Sequence, residues 1–147
     1  MIEVSQTMPV PAEAVFDVLS DGWSYAGWVV GSCHIRDVDD RWPAAGARIH
    51  HSVGMWPLQL EDTTTVRAVD PGSSLELEAQ GGALGTADIL VTLTPRGTGE
   101  TVVRIAESAR GGIGGLIPES MQALLLRPRN EESLARLSAL AIGRTRR

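Results

Sequence analysis

The side chains of this 147-residue chain that could do chemistry are few: three histidines, one cysteine and a handful of acidic residues set among apolar ones. His50 and His51 are adjacent in Ile49-His50-His51-Ser52-Val53. On a strand, neighbouring side chains point to opposite faces, so this pair cannot chelate one metal, and no metal site is expected. If Ile49 and Val53 face the core, His51 faces it with them and His50 looks outward. His51 is therefore the candidate for a proton donor or a ligand hydrogen bond, against the plainer reading of a satisfied, semi-buried histidine. The same alternation over Thr101 to Ala109 puts Thr101, Val103, Ile105 and Glu107 on one face. An inward carboxylate facing an apolar cavity is the makings of a general acid or base near neutral pH. The structural alternative is an ion pair with Arg104, Arg110 or Arg127.

Asp62 shares parity with Val66 and Ala68, so it is read either as an inward acid near a pocket mouth or as a solvated strand-end acid. Of the four tryptophans, Trp28 and Trp56 border sheet edges or entry loops, where a large ring can gate or stack a flat apolar ligand, although core packing explains them equally well. Cys33 and His34 lie on an expected strand as minor lining residues with no catalytic partner in the sequence. There is no Gly-x-Ser-x-Gly, His-Glu-x-x-His or Cys-x-x-Cys motif, which removes the familiar hydrolase, metalloprotease and thiol-redox readings. Gly111, Gly112, Gly114 and Gly115 sit between a strand and a helix, but Ile117 occupies the position where Gly-x-Gly-x-x-Gly counted from Gly112 needs its last glycine, so nucleotide binding is not expected. No cofactor is implied.

Composition narrows the partners. A formal charge of −5 opposes the phosphate neutralisation that drives nucleic-acid binding, so no nucleic acid is expected. All 13 basic residues are arginine, which closes Schiff-base and P-loop lysine chemistry. With 43% hydrophobic and 21% charged residues the chain reads as globular, and its longest run of large apolar residues, Leu124-Leu125-Leu126, is too short to cross a bilayer. The start Met1-Ile2-Glu3-Val4 lacks the basic and apolar regions of a signal peptide, and the lone cysteine suits a reducing compartment, so a cytoplasmic location without membrane insertion is expected.

The elements that would position these side chains follow from periodicity and turn chemistry. Ile2 to Met8 alternates as a half-buried strand, and Ala12 to Ser20 has helical spacing after Pro11, with Asp21-Gly22 as its stop. After a looser stretch from Trp23 to Trp28, strands are expected at about Val29 to Val38, Ala47 to Val53, Leu60 to Val69, Ser74 to Ala79, Ala87 to Thr94 and Thr101 to Ala109. The C-terminal third is helical, with an apolar stripe of Ile117, Met121, Leu124 and Leu125, then Leu134, Leu137 and Ala141. Pro128 removes the bond to the Leu124 carbonyl, so a kink or a short break before Asn130 is expected. The sum is one α+β domain over residues 1–147, a curved antiparallel sheet of about seven strands around a long C-terminal helix, with residues 143–147 as a frayed tail.

That order resembles the START-like (SRPBCC) superfamily of polyketide cyclases, aromatase/cyclases and lipid-transfer domains. The resemblance rests on Ile2-Glu3-Val4-Ser5, on Val10 through Leu19, on Trp28, on Val66-Arg67-Ala68-Val69-Asp70-Pro71-Gly72 and on Gly99-Glu100-Thr101-Val102-Val103. More narrowly, Trp28-Val29-Val30-Gly31, Trp42-Pro43, His50-His51, Glu107 and Arg129-Asn130-Glu131-Glu132-Ser133-Leu134 are similar to a bacterial subgroup. The resemblance implies a helix-grip fold with a ligand pocket between the concave sheet face and the last helix, which adds Met121 and Leu125 to its lining. It implies a pocket and not a reaction, because the frame serves enzymes and binders alike.

The functional reading is binding of a small hydrophobic metabolite, a polyketide, lipid or isoprenoid, lined by Trp28, His34, His51, Trp56, Asp62, Glu107, Met121 and Leu125. One alternative is a cyclase or dehydratase in which Glu107 and His51 exchange protons with the substrate, which requires the two to converge directly or through one water. The other is a protein-interaction module with a filled cavity. Monomer and homodimer are both compatible with the sequence.

Overall fold

The fold was analysed on a computed structural model, which describes residues 1–53, 60–81 and 85–146. The strand β1 spans Ile2–Met8, with Ile2, Val4 and Met8 buried and Glu3 and Ser5 exposed, as its alternation requires. The helix α1 spans Ala12–Leu19 and buries Ala14, Val15, Val18 and Leu19, while Glu13 sits in its first turn. A short 3-10 turn at Gly22–Ser24 leads into α2, Tyr25–Trp28. This pair replaces the looser stretch expected there and delays the next strand to Ser32.

Six more strands follow: β2 (Ser32–Val38), β3 (Arg48–Val53), β4 (Leu60–Asp70), β5 (Ser74–Gln80), β6 (Thr86–Arg96) and β7 (Glu100–Arg110). They form one antiparallel sheet in the order β1-β7-β6-β5-β4-β3-β2, so every neighbour is a hairpin partner except β1, which closes onto β7. The turn between β4 and β5 shows why the sequence folds this way. Pro71 presets its own φ, Gly72 adopts a φ of +82°, and the Ser73 N–H closes the turn on the Asp70 carbonyl at 2.9 Å.

The last helix, α3, runs unbroken from Glu119 to Thr145 and packs on β1, α1 and α2. Pro128 lies inside it without breaking it, contrary to the break before Asn130 that its missing N–H suggested. The residues just beyond Pro128 are pinned to the sheet and to the chain after α2, which carries the helix through the lost bond. The rotation of α3 also differs from expectation. Leu134, Leu137 and Ala141 are fully buried, but Met121, Leu124 and Leu125 are 55%, 75% and 63% exposed. The apolar stripe of its first half therefore faces away from the sheet, and Gln122, Arg129, Asn130 and Ser133 make the inward contacts instead. Among the described residues no helix is long and apolar enough to cross a membrane.

This rotation sets a stability contrast. Leu134→Ala is expected to cost about 3 kcal/mol in chemical denaturation, through lost burial and a residual cavity. Leu125→Ala is expected to change stability by no more than about 0.5 kcal/mol. The reverse ranking would mean that α3 packs through the other face.

Candidate functional site

A cavity of about 140 Å³ lies between the inner face of the sheet and the α2 and α3 helices. Ile49, Leu77, Ile89, Val91 and Ile105 supply apolar surface from four strands, β3, β5, β6 and β7. Polar groups enter at two separate places, one on α3 and β7, the other on β3 and β4.

On the first wall, Glu107 points inward and is 5% exposed. Its Oε1 accepts a hydrogen bond from Asn130 Nδ2 at 3.0 Å, and Arg129 Nη1 lies 3.4 Å from Oε2. The expected partners Arg104, Arg110 and Arg127 do not meet it, and the first two could not. They stand three residues from Glu107 on the same strand, and so project from the opposite face. Arg110 instead pairs on the outer face with Glu78 and Asp88, and Arg127 reaches the Glu3 carbonyl, at 3.5 Å. The same two α3 turns grip the chain after α2: Arg129 Nε donates to the Val30 carbonyl at 3.0 Å, and the Val30 N–H donates to Ser133 Oγ at 3.1 Å. Glu107, Arg129, Asn130 and Ser133 thus form one polar seam between sheet, helix and loop.

On the second wall, His51 and Asp62 are directly opposite each other in the β3–β4 register, so their side chains share the inner face. Nε2 of His51 is 2.9 Å from Thr64 Oγ1, also inward on β4. Three buried polar atoms of cavity-lining residues have no hydrogen-bond partner among the described residues: His51 Nδ1, Asp62 Oδ1 and Trp28 Nε1. Burial is the leading cause that lowers the His51 pKa, helped by the nearby positive charge of Arg36, His50 and Arg129. Burial raises that of Asp62. Each group is driven toward its neutral form.

Of the residues singled out in the sequence, Trp28, His51, Asp62 and Glu107 line this cavity. Trp28 belongs to α2, 4% exposed and 4.7 Å from the Tyr25 ring. His34 is exposed, because its position on β2 is opposite in facing to the buried Ile35. Met121 and Leu125 lie on the outward side of α3 and do not line the cavity, a consequence of the helix rotation set by the polar seam. Trp56 lies outside the described residues, and the Cys33 side chain is likewise not described. His51 and Glu107 are not hydrogen-bonded to each other. Three strands, β4, β5 and β6, stand between theirs, a separation of about four 4.8 Å strand spacings along the curved sheet. The outward reading of His50 agrees with its place 3.5 Å from Asp39.

Five polar lining residues were not read as site residues from the sequence: Tyr25, Thr64, Arg129, Asn130 and Ser133. Asn130 carried a usable signal, since it falls in the same helical stripe as Leu134, Leu137 and Ala141, where a polar residue must find a buried partner. Among the described residues no cluster of three or more His, Cys, Asp or Glu could hold a metal ion.

A seven-stranded antiparallel sheet curled around a long C-terminal helix, with a cavity between them, defines the helix-grip class of folds. The family model described as polyketide cyclase / dehydrase and lipid transport matches residues 1–141, and the chain belongs to that family. No curated protein matches the sequence. Among solved structures, the chain is similar to the Zhui aromatase/cyclase from Streptomyces, with 17% identity and a TM-score of 0.72 over 98% of this chain and 94% of that one. It is also similar to a conserved protein of Geobacillus kaustophilus (15%, 0.72, 96% and 94%) and to Ara h 8.0201 (14%, 0.69, 96% of both). At such identities the likeness is one of fold.

The unpartnered pair on β3 and β4 has measurable consequences. The unfolded chain ionises Asp62 freely above its ordinary value of 3.8, whereas the folded chain resists, so Asp62 costs stability above that pH. Asp62→Asn is expected to raise the melting temperature at pH 7, with the gain shrinking as the pH falls toward 4. His51 runs the other way: the folded state resists its protonation, so stability is lost as the pH drops below the ordinary value of 6.5, and His51→Gln is expected to remove that part of the acid loss. Thermal melts of the three proteins between pH 4 and 8 read both effects. A lower melting temperature for Asp62→Asn at pH 7 would show that the carboxylate is satisfied where it stands.

Proposed function

We propose that the protein binds a small, largely apolar metabolite in the cavity between the sheet and α3, a compound of about one or two rings such as a polyketide fragment or an isoprenoid. The observation that carries this reading is the combination of a mainly apolar enclosure with three buried polar atoms on its lining residues, His51 Nδ1, Asp62 Oδ1 and Trp28 Nε1, that have no partner among the described residues. Burying a polar atom without a partner typically costs about 1–3 kcal/mol, and a ligand that supplies the partners offsets that cost on binding. The volume supports the size: an apolar cavity of about 150 Å³ takes up a single benzene ring, and a somewhat longer ligand needs only modest side-chain movement. Membership of a family that includes cyclases and lipid carriers is consistent with such a ligand.

A catalytic reading draws support from one place, the His51–Asp62 pair, where two titratable groups side by side are shifted in opposite directions by burial. Glu107 is committed to Asn130 and Arg129, so a cyclase or dehydratase on this frame would pair His51 with Asp62 rather than with Glu107.

Ala79 lines the cavity from β5, and filling the space there tests the binding reading without touching any polar group. Ala79→Phe is expected to weaken uptake of a naphthalene-sized probe at least 10-fold by isothermal titration calorimetry while leaving the circular dichroism spectrum unchanged. Undiminished uptake by the folded variant would place the probe elsewhere and overturn the proposal.

A further inference from the structure

Resting on the cavity reading above, we infer that the ligand is uncharged and carries a hydroxyl group that sits between Asp62 and His51 on the β3–β4 wall. The inference comes from which hydrogen-bonding roles the wall leaves open. Asp62 Oδ1 accepts when the carboxyl is ionised, and donates or accepts when it is protonated. His51 Nδ1 takes whichever role its Nε2 contact with Thr64 leaves to it. A carboxylate only accepts, and faces Asp62 with a like charge whenever Asp62 is ionised. An ammonium only donates, and so cannot serve Asp62 or His51 where either presents a donor. A hydroxyl does both, so it alone among these groups can satisfy neighbours of either kind.

Charge supports the same choice. Arg129, the cationic side chain among the described lining residues, already lies against Glu107 at 3.4 Å and donates to the Val30 carbonyl, so an anionic ligand would have to take it from both. Replacing a buried partner in that seam leaves Glu107 uncompensated, a costly exchange. A charged ligand would also give up its own hydration to enter an enclosure with an apolar surface. Burial holds His51 and Asp62 toward their neutral forms, which suits a neutral guest that shares protons with them.

The test is a series on one ring system: naphthalene, 2-naphthol, 2-naphthoate and 2-naphthylmethylammonium, titrated into the full chain at pH 7 by calorimetry. We expect 2-naphthol to bind at least 10-fold more tightly than each of the other three. In Asp62→Leu, with the fold checked by circular dichroism, 2-naphthol is expected to fall to the naphthalene affinity while naphthalene itself is unchanged or improved. Binding of naphthoate or of the ammonium as tight as that of naphthol, or naphthol no better than naphthalene, overturns the hydroxyl inference and leaves the cavity reading standing. Failure of all four to bind overturns the cavity reading and the inference with it.

Discussion

The structure turns on a carboxylate that has to be met inside the fold. Glu107 is carried to the inner face of β7 by strand alternation alone, and once there its charge needs donors that water cannot supply. Asn130 and Arg129 supply them from α3. That requirement acts together with the burial of Leu134, Leu137 and Ala141, which share a helical stripe with Asn130, to set how the helix is rotated about its axis. The polar seam turns the first half outward and seats Leu134, Leu137 and Ala141 in the core. Through Arg129 and Ser133 it also fastens the Val30 backbone, and with it the Trp28 side of the cavity.

The two polar walls of the cavity differ in kind. The α3–β7 wall is saturated: every group named there has its partner within the protein. On the β3–β4 wall, Asp62 and His51 each keep a buried atom without a partner among the described residues. A fold that satisfies its polar groups as thoroughly as this one does elsewhere concentrates the exceptions where a ligand is to be recognised. The outer face of the sheet makes the comparison concrete, for there Glu78 is 4% exposed and held by both Arg67 and Arg110. Burial of an acid is thus not in itself the signal. A buried carboxylate oxygen with no partner among the described residues, beside a histidine nitrogen in the same state, is.

Much of the sheet was legible in the sequence because its physics is local. Alternation with a period of two placed Glu107 and His51 on the inner face, and Asp-Pro-Gly and glycine-rich turns bounded the strands to within a few residues. Asp62 could be read by the same parity, but its solvated alternative could be weighed only once β3 and β4 were seen to pair it with His51. What could not be read was the outcome of contacts between distant segments. Met121 and Leu125 belong to a clear apolar stripe, yet α3 offers two faces, and the choice depended on Glu107 finding Asn130. The short helix that carries Trp28 was hidden for a similar reason, since four residues hold too little periodicity to register.

The central claim is that a small apolar ligand enters the space between the sheet and α3 and does not rest on the exposed stripe of that helix. The most direct measurement is a set of intermolecular nuclear Overhauser contacts between the ring protons of bound 2-naphthol and the methyl groups of the protein. Contacts to Ile49, Leu77, Ile89 and Val91, part of the apolar lining of the cavity, are expected. Contacts confined to Met121, Leu124 and Leu125, on the outward face of α3, would contradict it.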